Sequence, residues 1–259
     1  MTNPRLAFLT ASLAIGLWAC NGSAPSPVGP ELVSPAPTPS GQTDAGAPVA
    51  PQARKDLPFE RILCFGDSLT FGITSRGVLQ RFTLEPVEGY VPKLRRLLRR
   101  EFDSAPQLIN SGRGGETTDR GLERLRIEIR SQRFDLVLLL EGVVDVNNPN
   151  PKFGQARNNL KEMMRIVKGE GVPLIIGTVP PLNDDGFRIR GIENIPKLND
   201  IIREEAKAER VPVADHDRAF GSNGGLQGPD GLHPNDAGYE VMAQTWFEEI
   251  QKLIDDMST

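Results

Sequence analysis

The sequence predicts an α/β fold in three layers, with a central parallel five-stranded sheet between two layers of helices. Three observations carry this expectation. From residue 59 onward, short apolar runs alternate with longer stretches of helical periodicity. The runs are apolar throughout, not at every second position, as strands are when both faces of a parallel sheet are covered. The stretch 59–259 is also long enough for one sizeable domain with its own core.

The elements follow in order. Residues 61–65 (RILCF) form a buried strand. A helix is expected over 89–102, with Val91, Leu94, Leu97 and Leu98 on one face. Arg95, Arg96, Arg99 and Arg100 recur at helical spacing around those leucines and read as its solvated side. Residues 107–110 are a short strand. The stretch 116–130 is a helix facing inward through Leu122, Leu125 and Ile129. FDLVLLL, 134–140, is the strongest strand. A helix over 152–170 ends at Gly171, a residue suited to the left-handed helix stop. Residues 173–178 are a strand, 195–210 a helix, 211–214 a strand and 235–257 a closing helix.

The chain before this domain has a different composition. Arg5 precedes an almost wholly apolar run from Leu6 to Trp18, too short for a comfortable membrane span, and polar sequence follows. Residues 1–20 therefore read as a signal peptide. Leu17-Trp18-Ala19-Cys20 resembles a bacterial lipoprotein cleavage site, although Trp18 stands where a small residue is usual. That resemblance implies lipidation of Cys20, and Asn21 after it resembles lipoproteins sent to the outer membrane. Ordinary secretion with cleavage nearby is the alternative. Residues 21–58, rich in Pro, Ala, Ser, Gly and Thr, read as a disordered linker that cannot bury enough surface to offset its ordering entropy. The expected location is the periplasm or outer membrane, with the lipid anchor as the membrane contact.

Charge and cysteine usage exclude several function classes. Thirty basic residues stand against 34 acidic ones, a net charge of −4, so there is no electrostatic case for a nucleic-acid partner. Cys20 and Cys64 sit in contexts too different for a structural disulfide. Cys64 lies inside the first strand and reads as a small core residue. No Cys/His cluster suits zinc, and no metal site is expected.

In a parallel sheet of this kind, ligands bind beyond the carboxyl ends of the strands. Directly after the first strand comes Gly66-Asp67-Ser68-Leu69-Thr70. A serine on such a turn can present its hydroxyl to solvent and its N–H to a bound oxygen. After the last strand comes Asp230-Gly231-Leu232-His233-Pro234. A serine nucleophile needs a base, and the base needs an acceptor that fixes its tautomer. With aspartate three residues before histidine, one turn can aim the carboxylate at Nδ1 and leave Nε2 for the serine. The chain has two histidines. His216, in Asp215-His216-Asp217, has no comparable link to a serine and reads as a surface or loop residue.

These motifs resemble the first and last blocks of the GDSL/SGNH hydrolases, over a stretch from about residue 61 to the C-terminus. The resemblance implies the flavodoxin-like fold of that family and a serine esterase that needs no cofactor. It implies Ser68, Asp230 and His233 as catalytic residues, with Asp67, Val144 and Asp145 at the substrate. Asn110-Ser111-Gly112-Arg113-Gly114-Gly115-Glu116-Thr117 is similar to the block whose glycine donates an N–H to the oxyanion; Gly115 matches best, ahead of Gly112 and Gly114. The third block departs from the family. Where the pattern is Gly-x-Asn-Asp, this chain has Gly142-Val143-Val144-Asp145, so the side-chain oxyanion donor is missing or is replaced by Asn147 or Asn148.

The expected reaction is hydrolysis of carboxylic esters through an acyl-enzyme, with the N–H groups of Ser68 and Gly115 holding the oxyanion. Short acyl esters, including acetylated carbohydrates, or lysophospholipids and thioesters are the expected substrates. The loops 73–88 and 180–195 are placed to choose between them. Two alternatives stay open: a binding lipoprotein on the same fold with weak or no activity, and an acyl transferase that uses an alcohol acceptor.

Overall fold

The computed structural model describes residues 56–74 and 89–258. The expected signal segment, nearly all of the expected linker and most of the 73–88 loop lie outside the described residues. Five strands run through the centre: β1 (Arg61–Gly66), β2 (Gln107–Gly112), β3 (Leu136–Leu140), β4 (Leu174–Gly177) and β5 (Val213–Ala214). All neighbouring pairs are parallel, in the order β2-β1-β3-β4-β5. The α/β class and the five-stranded parallel sheet are as the apolar runs predict. β3 is buried along its whole length, as is β1 from Ile62 onward, because helices cover both faces. The register sets Gly66 beside Gly112 on one side and Leu140 on the other, so β1, β2 and β3 end at one level.

The helices in chain order are α1 (Ser68–Phe71), α2 (Tyr90–Glu101), α3 (Thr118–Ser131), α4 (Val143–Val146), α5 (Phe153–Gly169), α6 (Asn194–Glu209), α7 (His216–Phe220) and α8 (Asp236–Met257). α2 packs against α8, α3 against α5, and α5 against α6, forming the two helical layers. On α2 the apolar and cationic sides separate as the spacing predicts: Val91, Leu94 and Leu98 are buried, and Arg96, Arg99 and Arg100 are exposed. Arg95 is half-buried and donates to the Leu108 carbonyl at 3.1 Å.

Three short helices, α1, α4 and α7, are additions to the elements read from the sequence. Each follows directly on the carboxyl end of a strand. Two are started by an aspartate whose side chain satisfies an orphan N–H of the first turn. Asp67 accepts from Leu69 N at 2.9 Å, and Asp215 accepts from Arg218 N at 3.2 Å. The strand expected over 211–214 is shorter than its apolar run, because only Val213 and Ala214 pair with β4.

His216 corrects the sequence reading. It opens α7 and is fully buried, with its ring edge-on to Trp246 at 4.8 Å between centroids. Neither ring nitrogen has a hydrogen-bond partner. Burial, only partly opposed by the Asp215 charge, pushes the imidazole down to about 3. The unfolded chain therefore binds a proton that the folded chain refuses, from the ordinary histidine pKa near 6.5 downward. Stability contributed by neutral His216 is fully present above that pH and is lost as pH falls through the window. Replacing His216 with Phe or Leu should flatten this dependence. Between pH 6.5 and 5 the wild type should lose about 2 kcal/mol more than either variant, since each pKa unit is worth about 1.4 kcal/mol. Denaturant unfolding at the two pH values measures it, and parallel losses in all three proteins would refute the assignment.

Candidate active site

Ser68 is the first residue of α1, one step beyond the carboxyl end of β1. Three contacts fix this helix. The Asp67 cap holds its start, Tyr90 Oη donates to Thr70 Oγ1 at 3.3 Å, and Tyr239 Oη donates to the Ile73 carbonyl at 2.6 Å. Gly72, in the left-handed conformation, ends it. Ser68 is thereby held on a rigid turn at the sheet edge.

The loop before α8 delivers the other two side chains. His233 Nε2 lies 2.9 Å from Ser68 Oγ, and His233 Nδ1 lies 2.6 Å from Asp230 Oδ2. The second carboxylate oxygen, Asp230 Oδ1, accepts from the N–H groups of Leu232 (3.0 Å) and His233 (2.9 Å). One oxygen orients the turn and the other orients the imidazole, so the loop and the ring cannot be placed independently. Burial raises the Asp230 pKa, but the hydrogen bond and charge of His233 and the two backbone donors outweigh it, and the group sits below the usual carboxylate range. An ionised Asp230 accepts Nδ1–H, which leaves Nε2 unprotonated toward the Ser68 hydroxyl.

Ser68 and His233 open onto a cavity of about 730 Å³, bordered also by Gly115, Val143 and Val144. Among the described residues, the N–H groups of Ser68 and Gly115 have no protein acceptor. Gly115 has φ +74°, a conformation open to glycine, and nothing lies within 4 Å of where a Cβ would stand. Gly114 shares the lining, but Gly112 is the last residue of β2 and does not.

Several residues expected at the substrate stand elsewhere. Asp67 is fully buried and serves as the cap of α1. Asp145 is buried too and accepts from Thr118 N (2.9 Å) and Thr118 Oγ1 (2.8 Å), so it holds the start of α3. Asn147 borders the cavity, but its amide donates to the Arg188 carbonyl at 3.0 Å and accepts from Arg190 N at 2.9 Å. Asn148 donates to the Asp145 carbonyl at 2.8 Å. Asn148 spends its amide on the Asp145 and Val144 carbonyls, whereas Asn147 has only one of its two N–H groups engaged.

Sequence reasoning missed the charge network behind Ser68. Arg124 is buried over the Phe65 ring at 3.8 Å. It pairs with Glu116 through two nitrogens and donates to the Gly66 carbonyl (3.3 Å) and the Ser111 carbonyl (2.9 Å). Close by, Glu141 is fully buried with no partner for either oxygen, and Asp67 Oδ2 also has none. Burial, reinforced by the Asp67 and Glu116 charges, pushes Glu141 well above the usual carboxylate range. Burial likewise raises Asp67, to about 7. Cys64 lies in the middle of β1, where burial pushes its thiol up to about 12, so it is no nucleophile.

Residues 64–241 match the GDSL-like Lipase/Acylhydrolase family, and the chain belongs to that family of ester hydrolases. Over 127 residues it is 29% identical to a multidomain esterase of Ruminococcus flavefaciens, covering 48% of this chain and 16% of that much longer protein. A lipase/acylhydrolase structure from Enterococcus faecalis is similar with a TM-score of 0.63 at 28% identity, over 74% of this chain and 96% of that one. A carbohydrate acetylesterase from Sinorhizobium meliloti shares the fold with a TM-score of 0.64 at 18% identity, over 75% and 99% of the two chains.

Arg124 supplies the test of the network. Arg124→Met keeps most of the side-chain volume over Phe65 but leaves Glu116 buried without its cation. Breaking a buried pair in this way costs about 3–5 kcal/mol, which for a domain of this size lowers the melting temperature by roughly 10 °C. The double variant Arg124→Met/Glu116→Gln should recover part of that loss. Thermal melts of the three proteins check it; an unchanged melting point for Arg124→Met would show that the pair contributes nothing.

Proposed function

We propose that this chain is a serine esterase acting on short acyl esters. The observation that carries the reading is the continuous path from Ser68 Oγ through His233 to Asp230, at 2.9 and 2.6 Å, opening on a cavity at the carboxyl edge of the sheet. Ser68 Oγ attacks the ester carbonyl carbon while its proton passes to His233 Nε2. The carbon–oxygen bond to the alcohol then breaks, and His233 returns the proton to the departing oxygen. A water molecule next gives a proton to His233, attacks the acyl carbon and releases the acid, and Ser68 regains its proton. Asp230 stays ionised and stabilises the imidazolium. The N–H groups of Ser68 and Gly115 receive the oxyanion.

Short acyl groups are favoured because, among the described residues, the cavity lining forms no long apolar channel, and Arg188, Arg190 and Asn147 make part of it polar. One fold relative is a carbohydrate acetylesterase, and acetylated carbohydrates fall within the proposed range. Val144 is a departure inside the site. With valine there, the oxyanion lacks the side-chain donor that an asparagine at 144 would supply beside the two backbone ones, so turnover should be slow for the family.

The reading extends to the cell envelope. Residues 1–20 act as a lipoprotein signal and Cys20 carries the lipid, a reading supported by the short apolar run Leu6–Trp18 that leads to the cysteine. Buried acyl methylenes contribute about 0.8 kcal/mol each, enough for several chains to anchor the protein stably. Cys20→Ser should move the protein from the membrane to the soluble fraction of the cells that make it. Persistent membrane association of the processed variant would mean that another element is the anchor.

Activity is tested on p-nitrophenyl esters of graded length. Ser68→Ala and His233→Ala should each lower kcat by roughly 10⁴-fold or more with the fold intact, because members of such an array act as a unit. Val144→Asn should do the reverse. A donor aimed at charge that develops only in the transition state raises kcat, by up to roughly 10²–10³-fold. A silent Val144→Asn substitution would place the oxyanion elsewhere, and a fully active Ser68→Ala protein would end the esterase reading.

A further inference from the structure

We propose that Arg188 and Arg190 form a carboxylate-binding subsite on the wall of the ester cavity, so that the preferred esters carry a negative charge beside the scissile bond. This rests on the esterase reading, because it names the substrate class of the same site.

The charge distribution is the first support. Arg188 and Arg190 border the cavity, and among the described residues no aspartate or glutamate does. The chain as a whole is acidic, at −4, so the cavity wall runs against its overall sign. Asp184 and Asp185, earlier in the same loop, are exposed and stand outside the lining. Among the described residues, Arg190 pairs with no carboxylate. Arg188 is ion-paired with Asp230, with Nε 3.8 Å from Oδ2, and its side chain is 43% exposed. A planar guanidinium suits a carboxylate, because its parallel N–H groups match the two oxygens.

The second support is the rigidity with which the pair is presented. Arginines on a loose loop are ordinary solvated charges; these two are not on one. The Asn147 side chain bridges the Arg188 carbonyl and the Arg190 N–H, clamping the backbone on either side of Ile189. Arg188 N donates to the Asp230 carbonyl at 3.0 Å, and Asn183 N donates to the Gly231 carbonyl at 2.9 Å. A Cβ on Gly186 would lie 2.3 Å from Gly231 Cα, and one on Gly191 would lie 2.8 Å from the Val146 carbonyl. Both arginines thus extend from backbone fixed against the catalytic loop and α4, so capture of an anion orders their side chains without also ordering the loop. Phe187, 62% exposed beside them, offers an apolar face to the carbon skeleton that bears the charge.

The carboxylate can belong to the acyl or the alcohol half of the ester, and paired substrates separate the two. Mono-p-nitrophenyl succinate is compared with its methyl ester for the acyl side, and 4-acetoxybenzoate with its methyl ester for the alcohol side. In at least one pair, the anionic-to-neutral ratio of kcat/KM should fall by about tenfold or more in Arg188→Gln/Arg190→Gln, and the wild-type ratio should shrink with added salt. An equilibrium measurement runs alongside: full-length Ser68→Ala titrated with mono-p-nitrophenyl succinate and with 4-acetoxybenzoate, with and without the two arginine substitutions. Arginine-dependent binding of either anion supports the subsite even if no ester is turned over, an outcome that would overturn the esterase reading instead. Hydrolysis of neutral esters, with ratios and binding indifferent to both arginines, overturns the subsite and leaves the esterase. Neither arginine-dependent binding nor turnover overturns both.

Discussion

The geometry of this domain depends on a single buried guanidinium. Arg124, on α3, reaches across the edge of the sheet to the last carbonyl of β1 and to the Ser111 carbonyl near the end of β2, and pairs with Glu116 between them. Those two strand ends carry the turn with Ser68 and the loop with Gly115. The strand register already sets those two ends side by side, and Arg124 ties them together from behind. A hydrophobic residue could fill the same volume over Phe65. It could not hold two backbone carbonyls and a carboxylate at once, and directional bonding is what such a network adds to packing.

That arrangement has an electrostatic corollary. Asp67, Glu116, Glu141 and Asp145 all lie buried near the ends of the three central strands. Carboxylates out of water need compensation. Glu116 takes the ion pair with Arg124, Asp145 takes two donors from Thr118, and burial raises the pKa values of Asp67 and Glu141. Asp230 escapes this crowding because its partners are His233 and two backbone N–H groups. The carboxylate that orients His233 is thus kept apart from those that hold the helices.

The fold was legible because its signal is collective. Continuous apolar runs such as Leu136–Leu140 and the three leucines and valine of α2 hold their pattern over many residues, and burial demands that pattern. The short helices were not legible, since a four-residue helix such as α1 or α4 has no periodicity to read. Direction was the harder matter. Asp67 and Asp145 lie within motifs, but motif membership does not say whether a side chain faces the cavity or the core. His216 between two aspartates reads as polar surface, yet the turn from β5 into α7 swings its ring under Trp246. Ser68, Asp230 and His233 were legible as a set because three residue types at two sheet-edge positions satisfy one chemical requirement. Arg124 and Glu141 left no trace in the pattern, because a buried charge and a solvated one are spelled alike.

The backbone contact between Gly186 and Gly231 joins two parts that many enzymes keep separate. Gly231 lies in the turn that carries Asp230 and His233, and Gly186 lies in the loop that borders the cavity. With no side chain between them, there is no slack for that loop to be lengthened or shifted without carrying the His233 turn with it. Diversification of this protein by inserting or deleting residues in that loop is therefore closed. Its selectivity can evolve by exchanging side chains at the rim, with the main chain kept as it is.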